Sequence, residues 1–149
     1  MPELLQATPD DWSAIAELVA AAYGRWVPVL GRSPKPMTVD YRSAINRHRF
    51  DLLTTRSVLV GLIETCIEPD CLLVVNVAVS PDHQKNGYGR LLMQHAEILA
   101  SNAKCTAMRL FTNQLMTKNI ALYESLGFHI CRTEDLAEGD TLVHMRKFL

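Results

Sequence analysis

The chain carries no excess of either charge, no hydrophobic run long enough to span a bilayer, and no clustered cysteines or histidines of the kind that hold a metal. Fifteen basic residues stand against 16 acidic ones, and no basic block tracks along the sequence. Nucleic-acid and anionic-membrane partners are therefore not expected. No apolar stretch approaches the roughly 20 residues needed to cross hydrocarbon, and the opening MPELLQATPDD has neither a charged n-region nor an apolar h-region. The expectation is a cytoplasmic protein. Cys66, Cys71, Cys105 and Cys131 form no C-x-x-C and fall in or beside strand-like segments, so they read as buried, reduced thiols. His48, His83, His95, His129 and His144 form no H-E-x-x-H, and no G-x-S-x-G is present. Metal and serine-hydrolase chemistry are thereby disfavoured, and neither an internal repeat nor a low-complexity tract appears.

What is present suits one ordinary domain over residues 1–149: 48% of the residues are apolar and 21% charged, enough to bury a core without disulfides or metals. Its centre is the stretch Cys71 to Ala103. Leu72 to Val79 is β-branched and apolar on both alternations, which predicts a strand covered on both faces. Pro81, in Ser80-Pro81-Asp82, ends it. Gln84-Lys85-Asn86-Gly87-Tyr88-Gly89-Arg90 follows, and then Leu92, Ala96, Leu99 and Ala103 recur at helical spacing. A glycine turn feeding a helix N-terminus is an anion site, because the first N–H groups have no intrahelical partners and carry partial positive charge. Lys85 and Arg90 add formal charge beside it. The nucleotide P-loop does not match, since Gly89 is followed by Arg90-Leu91. The dinucleotide fingerprint also fails: Leu92 replaces its third glycine, and Arg109 stands where its acid belongs.

The remaining chain alternates strands and helices. Leu4 to Ala7 reads as a strand. Thr8-Pro9-Asp10-Asp11 opens a helix with Trp12, Ile15, Leu18, Val19, Ala22 and Tyr23 on its apolar face, and Gly24 at its end. Trp26 to Met37, with Pro28, Gly31, Pro34 and Pro36, reads as an ordered loop beside a site. Asp40 to Arg49 predicts a second helix with an arginine-rich outer face. Strands follow at Asp51–Thr55 and Ser57–Ile67, the second carrying Glu64 as its one acid. Beyond the central helix, Ala107–Asn113 reads as a strand. Thr117 caps a helix over Lys118–Leu126 that Gly127 closes, and Phe128–Arg132 and Thr141–Phe148 are two final strands. The order β-α-α-β-β-β-α-β-α-β-β defines an α+β, or mixed α/β, domain.

In the helix 118–126, Asn119 and Tyr123 lie four apart and share a face. A polar pair on a short packed helix invites a ligand. The phrase V-A-V-x-P-x-x-Q-x-x-G-x-G-x-L, followed by Asn-x-Ala-x-Tyr-x-x-x-Gly-Phe (Asn119, Ala121, Tyr123, Gly127, Phe128), resembles the two signature blocks of the Gcn5-related N-acetyltransferase (GNAT) superfamily, in bacterial-type form. The resemblance covers about Val58 to Phe128.

That resemblance implies an acyl-CoA N-acyltransferase fold: a central, mostly antiparallel sheet of six to seven strands flanked by about four helices. It implies acetyl-CoA as co-substrate, with no metal, and direct acetyl transfer to a primary amine of a small molecule or protein. Val77 and Val79 would pair with the pantetheine arm, and the N–H of Ala78 or Val79 would polarise the thioester carbonyl. The amides of Gln84, Lys85, Asn86, Gly87, Tyr88, Gly89 and Arg90 would hold the pyrophosphate, with Asn119, and secondarily Asn113, fixing the arm. Tyr123 would be the general acid for the leaving thiolate, and Glu64 is the candidate base. Relatives pair through closing strands or helices, so a homodimer is open to this chain. A CoA-binding sensor that has lost transfer is the alternative function; a nucleotide-binding regulatory domain is opposed by the failed motifs.

Overall fold

The computed structural model describes residues 1–149. Strand β1 (Glu3–Gln6) leads through a 3-10 turn into α1 (Trp12–Tyr23), where the Asp11 carboxylate accepts the Thr8 N–H at 2.8 Å. Two single helical turns follow, α2 (Val27–Leu30) and α3 (Tyr41–Ala44). Then come β2 (Arg49–Thr55), β3 (Val58–Glu68), β4 (Cys71–Val79), α4 (Tyr88–Asn102), β5 (Ala107–Asn113), α5 (Thr117–Ser125), β6 (His129–Asp135) and β7 (Thr141–Phe148). The seven strands form one sheet in the order β1-β2-β3-β4-β5-β7-β6, antiparallel except for β4 with β5.

Two cores cover the two faces of the sheet. On one face Leu92, Met93, Ala96 and Ala100 of α4 and Tyr123 of α5 pack on Leu53, Ile63, Leu72, Met108 and Met145. On the other, Ile15, Leu18, Val19 and Ala22 of α1 pack with Tyr41 on Phe50, Leu52, Leu62 and Ala78. Each fully buried aliphatic side chain contributes about 1.5–3 kcal/mol of transfer free energy. The adjacent strand and α4 both close on Gly61, where an added Cβ would lie 3.1 Å from the Ala78 carbonyl oxygen and 3.2 Å from Leu92 Cδ1. The carbonyl belongs to the β3–β4 ladder and Leu92 is fully buried, so either would have to shift to admit the methyl. Gly61→Ala is accordingly expected to destabilise the protein by about 1–3 kcal/mol, read as a lower denaturation midpoint at unchanged m-value.

The feature that makes a site is the way β4 and β5 separate. Only Cys71, Leu72 and Leu73 pair with β5, opposite Ala107, Met108 and Arg109. Beyond them β4 stays with β3 to Val79, β5 stays with β7 to Asn113, and the sheet opens as a V. An irregularity in the β3–β4 register leaves Val75 without an opposite residue, and a bulge of that kind bends and twists the strand that carries it. The vertex is pinned. Thr106 donates its N–H to the Asp70 carbonyl at 2.9 Å, and Arg109 grips Glu68 through Nε and Nη2 at 2.7 and 2.8 Å. The Arg109 guanidinium holds the Glu68 carboxyl below its ordinary range.

Several local expectations change. The helix expected over Asp40 to Arg49 shortens to Tyr41–Ala44, because β2 starts at Arg49 and seats Phe50 and Leu52 in the core. Asp40 does cap it, accepting the Arg42 N–H at 3.1 Å. Thr117 lies inside α5 and caps nothing; Met116 precedes the helix as its cap residue. The loop from Trp26 to Met37 contains α2 and a 3-10 turn at Lys35–Thr38. Gly24 stays right-handed and passes α1 on into a further turn. Of the four thiols, Cys71 and Cys105 are buried, Cys66 is half-buried and Cys131 is exposed on β6.

Candidate active site

A cavity of about 320 Å³ lies at the open end of the V, between the end of α1, the last residues of β4, the glycine turn and α5. The backbone of β4 faces it in a defined way. Ser80 donates its N–H to the Val60 carbonyl at 2.8 Å. Alternation along the antiparallel pair then turns the backbone groups of Asn76 and Ala78 toward β3 and those of Val77 and Val79 into the gap. Two side chains confirm that direction: the Tyr23 hydroxyl donates to the Val77 carbonyl at 3.0 Å, and Gln84 Nε2 donates to the Val79 carbonyl at 3.2 Å. Ala78 lines the cavity, but its N–H belongs to the β3 ladder. Val77 and Val79 are the residues whose N–H groups point into the gap.

The glycine turn is built as the sequence predicts, with one addition. Lys85 and Gly87 both take left-handed backbone, at φ 69° and 78°. Gly87 is the N-cap of α4 and no side chain caps the helix, whose first backbone bond runs from the Leu91 N–H to the Gly87 carbonyl at 3.0 Å. The N–H groups of Tyr88, Gly89 and Arg90 are thus left for an anion. The addition is the Gln84 side chain, whose Oε1 accepts from Arg25 Nη1 at 2.8 Å while its amide holds Val79. Gln84 ties the turn that follows α1, the end of β4 and the glycine turn together. Arg25, Lys85, Arg90 and Lys118 line the cavity and no Asp or Glu does, so the site is electropositive in a chain of net charge −1.

Tyr123 and Asn119 approach from α5. The Tyr123 ring is buried edge-on to Phe128 at 6.2 Å, and its hydroxyl, which makes no hydrogen bond within the protein, faces the cavity. Burial pushes its pKa up to about 12. Beside it stands a polar cluster that no single stretch of sequence announces. The Tyr23 hydroxyl donates to Asn76 Oδ1 at 2.7 Å and shares that proton with the Val77 carbonyl. Asn76 Nδ2 donates to the Tyr41 hydroxyl at 3.2 Å, and Tyr41 donates to the Pro36 carbonyl at 2.7 Å. Burial raises the pKa of both tyrosines. The one sequence signal for this cluster is Asn76 itself, a lone amide in an otherwise apolar strand.

Three expected residues stay outside the cavity lining. Asn86 is exposed on the turn, and Asn113 caps its own turn by accepting the Leu115 N–H at 2.9 Å. Glu64 is 3% exposed on β3, with Oε2 2.6 Å from His48 Nδ1. Burial raises the Glu64 pKa, and the His48 contact only partly opposes this. A carboxyl whose folded pKa exceeds its unfolded value stabilises the protein fully below the unfolded pKa and loses that contribution as pH rises through the folded one. Glu64→Gln is therefore expected to match the parent in stability at acid pH and to exceed it at neutral pH, as denaturant titrations across the pH range would show.

Residues 12–128 match the model of the acetyltransferase (GNAT) family, and the chain belongs to that family. Among curated relatives, the [ribosomal protein bS18]-alanine N-acetyltransferase of Escherichia coli K12 is 32% identical over 77 residues, 52% of each chain. The chain spans about half the length of the curated relatives it matches. Among solved structures, the ribosomal-protein-S18-alanine N-acetyltransferase of Escherichia coli superposes at TM-score 0.81 with 22% identity, covering 99% of this chain and 94% of that one. The PaiA N-acetyltransferase of Thermoplasma acidophilum, solved in complex with coenzyme A, gives TM-score 0.78 at 17% identity over 100% of this chain and 99% of that one. At these identities the superpositions establish the fold: a mostly antiparallel seven-stranded sheet in the GNAT arrangement.

Proposed function

We propose that residues 1–149 act as one acetyl-CoA-dependent N-acetyltransferase domain that moves the acetyl group directly to a primary amine. The observation that carries this reading is the V between β4 and β5, with an uncapped helix N-terminus at its mouth and a buried tyrosine hydroxyl over it. An extended pantetheine arm completes β4 as an added strand, taking the Val77 and Val79 N–H groups as donors. The Val79 N–H polarises the thioester carbonyl, where negative charge builds in the tetrahedral state. The N–H groups of Tyr88, Gly89 and Arg90, the left-handed Lys85–Gly87 turn and the surrounding cations take the pyrophosphate. Asn119 steadies the arm, and Tyr123 protonates the departing sulfur. Asn86 contributes its backbone to the turn. Asn113 acts on the shape of the β5–α5 connection.

For the acceptor, a protein or peptide α-amine is the first choice to test, because the curated relative is named for an alanine of a ribosomal protein. The test is thiol release from acetyl-CoA with a panel of alanyl peptides and small primary amines, beside calorimetric titration of acetyl-CoA. Binding with amine-dependent release supports the transferase. Binding with no release from any amine favours a CoA sensor, and absence of binding removes the whole reading.

A further inference from the structure

An ammonium has no lone pair, so an acceptor amine must lose a proton before it attacks, yet no carboxylate lines the cavity. Glu64 lies on the sheet face that α1 and α3 cover, closed against His48. Across the gap β6 is exposed along its whole length, while His144 of the neighbouring β7 is 8% exposed. Met108 and Leu110 point into the core under α4, so Phe111 points to the opposite face, the one that carries Asn76 and Ala78 on the far side of the gap. Phe111 pairs with His144 of β7, their rings 5.4 Å apart and inclined at 39°. It stands two residues past Arg109, the last β5 residue paired with β4, and so on the rim of the gap. Val77 lies only about 7 Å further along the strand direction.

His144 is arranged as a base. Its Nε2 is 2.9 Å from Glu134 Oε1 on β6. A carboxylate there accepts Nε2–H and leaves the lone pair on Nδ1. His144 Nδ1 makes no hydrogen bond within the protein, and it is not among the fully buried atoms left without a partner, His83 Nδ1 and His95 Nε2. The charged groups around the ring are Glu134 and Arg132 from β6, Arg109 from β5 and Arg146 on β7 itself, with Cys131 Sγ on the His144 carbonyl.

We propose that His144, oriented by Glu134, receives the proton of the acceptor ammonium at the rim of the β4–β5 gap. The assignment rests on the transferase reading above. His144 Nδ1 takes one proton from the ammonium, directly or through a water, and later releases it to solvent. The freed nitrogen lone pair forms the C–N bond at the thioester carbonyl. The C–S bond then breaks, its electrons go to sulfur, and Tyr123 supplies the proton that makes the thiol. The second amine proton restores the Tyr123 hydroxyl. His144 is the catalytic group here and Glu134 its positioning residue.

The experiment compares two acceptors, alanine amide and trifluoroethylamine, whose weakly basic nitrogen is already unprotonated at neutral pH. His144→Gln is expected to lower kcat/KM for alanine amide roughly 100-fold, the low end of general-base contributions, while leaving trifluoroethylamine within a few-fold and acetyl-CoA affinity unchanged by calorimetry. Glu134→Gln, on the exposed edge strand, keeps an acceptor for Nε2–H but loses the charge. It should lower kcat/KM for alanine amide about 10-fold and shift the acidic limb of the pH profile. Equal losses for both amines, or no loss with either variant, would overturn the assignment. If the parent protein binds acetyl-CoA but acetylates neither amine, the transferase reading fails first and this base with it.

Discussion

Tyr123→Phe is expected to reduce kcat roughly 100- to 1,000-fold while acetyl-CoA binding survives. The ring keeps its packing on Phe128 and only the hydroxyl that faces the cavity is removed. The physical difficulty is the proton's driving force. A phenol raised by burial to about 12 is a weak acid for a thiolate, which in water has a reference pKa of about 8.5. On those values complete transfer is uphill by about 5 kcal/mol. Two effects close the gap. The same burial raises the thiol as it forms, and the hydrogen bond strengthens as charge develops on sulfur, before any transfer is complete. The high pKa also has a clear consequence for pH dependence. Tyr123 stays protonated well past pH 10, so it supplies no alkaline limb over the range in which the protein is assayed. The deficit of Tyr123→Phe should be flat between pH 6 and about pH 10, within which an ordinary tyrosine would begin to titrate. A deficit that grows or vanishes within that window would remove Tyr123 as the acid.

Gly89→Asp should separate folding from binding. Gly89 sits in the first turn of α4, and a Cβ there would meet Leu122 Cδ2 at 3.4 Å, an ordinary contact. A carboxylate in that turn complements the helix dipole by about 0.3–1 kcal/mol, and replacing glycine limits the unfolded chain, so the melting temperature should hold or rise. Binding should move the other way. At about 5 Å from a pyrophosphate and an effective dielectric near 20, each unit of like charge costs about 3 kcal/mol, or more than 100-fold in affinity for acetyl-CoA. Gly89→Ala, which adds the carbon without the charge, should bind within a few-fold of the parent. If calorimetry gave Gly89→Asp the parent's affinity, the phosphates would lie elsewhere.

Parts of this site were readable from sequence for a local reason. The turn Gln84–Arg90 carries its chemistry in consecutive residues, and the N-terminus of α4 exposes those amides whatever surrounds it. Asn119 and Tyr123 were readable because helical spacing puts them on one face. The polar cluster was not. Tyr23 reaches Asn76 across 53 positions and Asn76 reaches Tyr41 across 35. In sequence each tyrosine is one more member of an apolar helix face. The helix expected over Asp40 to Arg49 failed for a related reason: its local pattern was helical, but Phe50 and Leu52 have more to gain by entering the sheet.

The sequence by itself determined the elements that depend on neighbours in the chain: the β-branched central strand, the proline that ends it, the glycine turn and the amphipathic helix behind it. From these it determined the family resemblance. The tertiary structure decided what depends on residues far apart. It opened the sheet after Leu73, turned Val77 and Val79 rather than Ala78 into the gap, enclosed Glu64 with His48, and set His144 beside Phe111. Backbone propensities act over a few residues, whereas strand register and the covering of a sheet face are set by the packing of the whole chain.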